Sequence, residues 1–178
     1  LPNGWKVINE CLPLTLPDSP NVERFHLSNL KLDLQDGLSV RLIEALKGML
    51  TFGCACNPVD KEGLGALVQA IRQPGVCRKL RKLHLPRLSK IANAEAWEPF
   101  ADAIANKALP ELRLLGLEHA LGDGFLPLAD AMGKGAIPHL LFLHLNEASL
   151  CDRHFEHLAN ALKAGALPEI EEIHVGEN

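Results

Sequence analysis

A short apolar motif recurs along the chain about every thirty residues, and this repeat limits the possible folds more than any other feature. The motif is one apolar residue, two variable residues, a second apolar residue, one variable residue and a third apolar residue. Its six copies begin at positions 22, 49, 80, 112, 140 and 170, so successive copies start 27, 31, 32, 28 and 30 residues apart. This spacing holds one strand, one helix and two loops, and we predict that unit for each repeat.

Each copy of the motif has the pattern of a strand with one buried face. Successive side chains of a strand point to opposite faces, so the alternation places the apolar residues on one side. The three clearest copies carry leucine at every apolar position: Leu80, Leu83 and Leu85; Leu112, Leu115 and Leu117; Leu140, Leu143 and Leu145. We expect these leucines to face a common core.

A second pattern follows the predicted strands, with apolar residues spaced as one face of a helix requires. Its clearest copy runs from Phe155 to Leu162, and similar copies begin at positions 64, 97 and 125. Alanine recurs at positions 103, 131 and 161, where a small side chain indicates close packing. Gly135 and Gly165 mark expected helix ends, and Pro138 and Pro168 precede the next motif by two residues.

The repeat from 140 to 168 resembles a leucine-rich repeat of the ribonuclease-inhibitor type, with its three strand leucines, Leu150, the helical pattern and the final glycine and proline. The resemblance covers residues 22–178. It implies an α/β leucine-rich repeat solenoid, a segment of a horseshoe with parallel strands on the concave face and helices on the convex face. The family's asparagine, three residues beyond the last strand leucine, is matched only at Asn57 and Asn178. We therefore expect turns that are less regular than in the family.

The repeats divide the chain into successive segments. Residues 1–21 are interpreted as an N-terminal cap or the remnant of an earlier repeat. The repeats that follow span 22–48, 49–79, 80–111, 112–139, 140–169 and, as a partial copy, 170–178. Terminal repeats need a polar cap to cover the core and the strand edge. Since none follows the sixth strand, we expect the C-terminal end to contact another subunit or further repeats.

Composition excludes several classes of function. The chain has 18 Lys and Arg against 22 Asp and Glu, a net charge of -4, which argues against a nucleic-acid partner bound through its phosphates. Apolar stretches fall well short of the roughly 20 residues of a membrane span, so no membrane span is expected. Five scattered cysteines do not form a disulfide framework. We therefore expect a reducing compartment and a cytoplasmic protein.

The variable strand positions are the predicted partner-binding residues, because members of this family often bind partners on the concave face. Along this face the sequence predicts a basic centre, an apolar patch and an acidic end, which would orient a protein partner. The acidic end combines Glu147, Glu171, Glu172 and Glu177, and Leu141 joins the apolar patch. A solvated sheet face without a partner is the alternative interpretation. The predicted residues are Arg24, His26, Arg81, Lys82, His84, Arg87, Arg113, Leu114, Phe142, His144, Glu172 and His174.

Histidines occupy four of the six equivalent positions just before the third apolar residue of the motif. Glycines occupy the other two, at 53 and 116, and are expected to interrupt any longer row of histidines. His144 and His174 are predicted to be neighbours that share a metal ion, that respond together to protonation, or that have neither role. Two histidines without a third ligand make a poor metal site, so no metal is predicted.

The cysteines of the chain give only weak indications of a function. Cys54 and Cys56 are interpreted as packing residues, since their side chains point to opposite faces of a strand and Cys54 occupies an apolar position of the motif. A thiol site is only very weakly indicated by Cys151, His154 and His157, which fall near the start of a predicted helix.

No catalytic motif is recognisable, so we predict neither an enzyme nor a cofactor, and a protein-interaction scaffold or regulatory domain is the leading hypothesis. One alternative is an enzyme regulator of the GTPase-activating or inhibitor type, for which Arg87 and Arg153 are the candidate residues. Another is the ligand-sensing repeat domain of a NOD-like receptor. The choice among them depends on analogy within the fold family.

Overall fold

The computed structural model describes residues 24–26, 46, 48–53, 61–85, 93–119 and 121–178. Six strands of three residues each lie in this part of the chain: β1, Arg24–His26; β2, Thr51–Gly53; β3, Lys82–His84; β4, Leu114–Gly116; β5, Phe142–His144; β6, Glu172–His174. Four helices are described with them: α1, Lys61–Arg72; α2, Ala94–Ala105; α3, Phe125–Gly133; α4, Asp152–Lys163. A 3-10 turn, Gly122–Gly124, precedes α3.

The six strands form one sheet in which every neighbouring pair is parallel and the spatial order equals the chain order. Equivalent positions of the sequence motif are aligned, so that Leu83, Leu115, Leu143 and Ile173 lie side by side across four strands. Parallel neighbours need a crossover connection, and helices α1 to α4 provide it for the last four strands. The predicted α/β class and the parallel strands are confirmed.

The strands are shorter than the apolar motifs that predicted them. The first leucine of a motif lies in the turn before its strand: the N–H of Leu112 donates to the carbonyl of Leu109 at 3.3 Å, and the N–H of Leu140 to that of Ile137 at 3.2 Å. Both leucines are nevertheless fully buried. Burial therefore follows the sequence motif, whereas strand pairing covers only its centre.

Entry into each strand uses the same hydrogen-bond arrangement. The carbonyl of Arg113 accepts the N–H of Leu141 at 2.8 Å and the N–H of Phe142 at 2.9 Å. The carbonyls of Leu50, Arg81 and Leu141 likewise accept two successive N–H groups from the following strand. This recurrence shows that equivalent backbone positions adopt equivalent geometry from β2 to β6.

The core lies between the helices and one face of the sheet. Leu83, Leu115 and Leu143 are 0% exposed at the centres of their strands, and Trp97 and Phe100 of α2 pack in the same apolar cluster. Full burial of one leucine side chain contributes roughly 1.5–3 kcal/mol. The alanines predicted to pack closely, at positions 103, 131 and 161, are all buried. The repeat therefore builds one continuous core rather than several small ones.

The helices α3 and α4 end where the sequence predicts, just before Gly135 and Gly165. Asn93 caps the start of α2, where its Oδ1 accepts the N–H of Ala96 at 2.9 Å. Gly135 and Gly165, just beyond α3 and α4, have φ angles of 67° and 68°, a left-handed conformation that glycine adopts without penalty. The equivalent position after α2 is Lys107, which has a φ of 58° and carries the steric cost of a side chain there.

Candidate functional site on the open face of the sheet

The strand residues on either side of each buried leucine form the second face of the sheet, which we call the open face. In β3 to β6 it comprises Lys82, His84, Leu114, Gly116, Phe142, His144, Glu172 and His174. Its residues pair in register across the strands, which lie about 4.8 Å apart. The open face therefore brings residues that are distant in the sequence into rows.

The first row changes in charge from one end to the other. Lys82 is exposed, Leu114 is 9% exposed, Phe142 is partly exposed and Glu172 is exposed. Residues just before the strands extend the gradient, with exposed Arg81 and Arg113 at the basic end and exposed Glu171 at the acidic end, while Leu141 is partly exposed in between. Leu141 and Phe142, the predicted apolar patch, are therefore both partly exposed, whereas Leu114 is almost fully covered.

The second row is a series of histidine rings. The rings of His144 and His174 are stacked, with centroids 4.5 Å apart and planes inclined by 21°. The ring of His84 meets that of His144 edge to face at 6.0 Å. A Cβ at Gly116 would lie 2.6 Å from Nδ1 of His84, so the ring of His84 occupies the space that the glycine leaves. The prediction that Gly116 interrupts the row is wrong, because the missing side chain is what lets His84 approach His144.

Carboxylates lie beside two of these rings. Nε2 of His174 is 3.0 Å from Oε2 of Glu172, and Nδ1 of His144 is 4.0 Å from Oε1 of Glu118. Burial and the nearby charge of His174 lower the pKa of His144 below its ordinary value, and Glu118 and Glu172 oppose the shift. Within the described part of the chain, no group of three or more metal-binding side chains is arranged to hold a metal ion. The row is therefore a set of interacting rings.

The loops after the strands are joined by polar contacts between consecutive repeats. Nδ1 of His119 is 2.9 Å from Oε2 of Glu147. The side chain of Asn178, at the position of the family's asparagine, donates to the carbonyls of Leu145 and Val175 at 2.8 Å and accepts the N–H of Leu150 at 3.1 Å. Asn178 therefore ties two loops together through three backbone groups.

A cluster of four polar residues lies in these loops, and the sequence predicted only part of it. The sequence places Cys151 and His154 near a helix start, and Sγ of Cys151 is 3.3 Å from Nδ1 of His154. His157, considered with them, instead faces Asp130, with Nδ1 and Oδ1 2.9 Å apart. Asp123 of the preceding repeat completes the cluster, with Arg153 bound to it. A contact across about thirty residues has no local sequence signal.

Several predicted residues lie outside the described part of the chain, namely Cys54, Cys56, Asn57 and Arg87. Arg24 and His26 belong to β1, in register with Thr51 and Gly53 of β2.

Comparison with known proteins finds no family model that matches the chain and no match among curated proteins. In the described part of the chain, no helix has both the length and the apolar character needed to cross a bilayer.

Proposed function

We propose that this chain is a leucine-rich repeat solenoid of the ribonuclease-inhibitor-like type and that it binds a protein partner through the open face of its sheet. Recurrent backbone conformations support the repeat architecture. Lys107, Gly135 and Gly165 all have positive φ angles just after a helix, and Glu147 and Glu177 share one in the loop after a strand. Together with the chain-order parallel sheet, this recurrence is typical of repeats stacked along one axis.

The observation that carries the functional proposal is the alignment of Lys82, Phe142 and Glu172 in one row of the open face. The core position of each repeat is apolar throughout, whereas this row changes from a cation through an aromatic ring to a carboxylate. A row of this kind favours one orientation of a partner through complementary charge. Aromatic side chains, phenylalanine among them, are enriched in protein interfaces, so the partly exposed ring of Phe142 is a suitable anchor.

The gradient also specifies the chemistry of the partner. Carboxylates of the partner would lie over Arg81, Lys82 and Arg113, an apolar side chain would cover Phe142, and a lysine or arginine would approach Glu172. The partner surface is thus acidic at one end, apolar at its centre and basic at the other end. Cys77 and Cys151, the two cysteines in the described part of the chain, are free thiols, which is in keeping with a cytoplasmic location.

The two alternative functions gain less support. Of the two candidate arginines for a GTPase-activating role, Arg153 is bound to Asp123 and Arg87 lies outside the described part of the chain. A ligand-sensing role has no specific observation in its favour among the described residues. The open face therefore favours a scaffold or regulatory domain over either alternative.

The test is an affinity capture from native lysate with quantitative mass spectrometry. A variant with Lys82→Glu and Phe142→Glu reverses one charge of the basic end and removes the aromatic anchor. The matched control carries Lys134→Glu and Lys163→Glu, two exposed lysines next to helices α3 and α4. We expect a partner that is captured by the wild type and the control and depleted at least about tenfold by the open-face variant, a loss of roughly 1.4 kcal/mol or more. Equal capture by all three folded proteins would contradict the proposal.

A further inference from the structure

Two cysteines with free thiols lie in contrasting environments. Cys77 is buried among apolar residues, and burial raises the pKa of its thiol to about 12. Cys151 is exposed at the N-cap position of α4. Because the thiolate is the nucleophile of cysteine chemistry, burial of this kind makes Cys77 unreactive. The exposed sulfur of Cys151 is instead open to solutes.

A histidine base lies beside the sulfur of Cys151. Nδ1 of His154 is 3.3 Å from Sγ, and the histidine itself is only 2% exposed. Nδ1 also accepts the backbone N–H of Cys151 at 2.9 Å. Since that N–H can only donate, Nδ1 must carry a lone pair, and the ring hydrogen of the neutral histidine is on Nε2. The nitrogen facing the sulfur is therefore the unprotonated one, as a general base requires.

A carboxylate holds the other side of the ring. Nε2 of His154 is 3.1 Å from Oδ1 of Asp123, and Arg153 also binds that carboxylate. The hydrogen bonds from Arg153 and His154 lower the pKa of Asp123, so it is a carboxylate at neutral pH. A neighbouring carboxylate orients the imidazole and stabilises the imidazolium form when Nδ1 takes a proton. The ring of Phe125 packs edge to face against His154 and further restricts its orientation.

We propose that Cys151, His154 and Asp123 form a modification site at which Cys151 undergoes thiol–disulfide exchange with small disulfides. Cys151 is the nucleophile, His154 the base and Asp123 a positioning residue. This arrangement matches the general pattern of a nucleophile, a base within hydrogen-bonding reach and a third group that orients the base. The site lies between the 3-10 turn that precedes α3 and the first turn of α4, and none of its residues belongs to the open face of the sheet.

The exchange step is balanced without any further reactant. Nδ1 of His154 accepts the thiol hydrogen of Cys151 as Sγ attacks one sulfur of the disulfide. A new S–S bond forms to Cys151, the original S–S bond breaks, and the leaving thiolate takes the hydrogen back from Nδ1 as a free thiol. One sulfur, that of Cys151, is oxidised, and one sulfur of the small disulfide is reduced. Nδ1 has one lone pair, so it takes the thiol hydrogen by giving up the Cys151 N–H, and the hydrogen bond to that N–H is restored when the proton leaves Nδ1.

The probe is 5,5′-dithiobis(2-nitrobenzoate), a small aromatic disulfide, applied to the full chain, with peptide mass spectrometry used to assign the rate at each cysteine. The informative variant is His154→Gln. Glutamine at the third position of a helix still accepts the N-cap N–H in a capping box, but it provides no ring base. This variant therefore tells whether His154 acts as a base or only caps the helix. Protection of Cys77 in the same sample reports whether the chain is folded.

We expect the rate at Cys151 to fall about tenfold or more in His154→Gln, while Cys77 stays protected. Asp123→Asn is expected to lower the rate less, and Asp123→Glu to restore most of it, because a carboxylate can again orient the ring. A wild-type rate at Cys151 in His154→Gln, with Cys77 protected, would overturn the proposal and leave His154 as a cap only. If Cys77 becomes reactive in that variant, His154→Asn replaces it, because asparagine also keeps a side-chain acceptor and provides no base, with the same two outcomes.

Discussion

The two faces of the same strands differ in what is repeated. On the core face, Leu83, Leu115 and Leu143 place the same fully buried side chain in consecutive strands. On the open face, the neighbouring row runs from Lys82 to Glu172 and no two residues in it are alike. Repetition on one face provides stability through stacking, and variation on the other is what the proposed recognition of a partner requires. Mutations that affect one face and leave the other intact can therefore separate folding from recognition.

The largest expected effect separates the two faces directly. Leu115→Ala removes a fully buried side chain and should reduce the free energy of unfolding by about 2–5 kcal/mol. Lys82→Ala, on the open face of the adjacent strand, should change it by no more than about 0.5 kcal/mol. Urea denaturation followed by circular dichroism measures both values. Similar losses for the two variants would mean that the faces do not differ in their contribution to stability.

Two glycines provide a second comparison between core and surface. A Cβ at Gly124 would lie 2.2 Å from Cδ1 of the buried Trp97, so Gly124→Ala should cost roughly 1–3 kcal/mol through overpacking. A Cβ at Gly116 would meet the ring of His84, which is partly exposed rather than buried. Gly116→Ala should therefore cost less but separate His84 from His144. Thermal unfolding ranks the two costs, and a larger loss for Gly116→Ala would contradict this order.

Substitutions at Lys107 and Gly135, which follow two different helices, test whether equivalent positions contribute equally to the free energy of unfolding. Lys107 has the same left-handed conformation as Gly135. Lys107→Gly should therefore raise the free energy of unfolding by about 1 kcal/mol, because the steric cost of Cβ disappears. Gly135→Lys should lower it by a similar amount. Chemical denaturation of the two variants against the wild type measures this pair, and changes of the same sign would refute the equivalence.

The smallest expected effect is a pH dependence that comes from His144. The folded chain lowers the pKa of this residue below 6.5, so the unfolded chain binds the proton more readily. Its contribution therefore reduces stability as the pH falls through 6.5 toward the folded-state value. In NMR titration, His174→Gln should raise the pKa of His144 by removing a nearby positive charge. Glu118→Gln should lower it further, and unchanged values in both variants would contradict the assigned causes.

The sequence predicted the class of the fold and its core well, because both follow local periodicity. The strand leucines, the small alanines and the glycines after the helices each repeat at a fixed distance, so their roles are visible without long-range contacts. Contacts between loops of different repeats, such as Asp123 with His154, depend on loop shape and have no such signal. The interruption expected at Gly116 was wrong for a related reason: a missing side chain matters through the neighbour that fills its space.

The most direct test of the central claim replaces Phe142 with a photoreactive phenylalanine analogue and identifies the proteins that crosslink to it in lysate. The same analogue at Glu156, an exposed position on helix α4, serves as the control. We predict that the open-face position crosslinks one protein selectively and that Lys82→Glu in the same chain abolishes this product. Crosslinking of the same proteins from both positions, unaffected by Lys82→Glu, would contradict recognition through the open face.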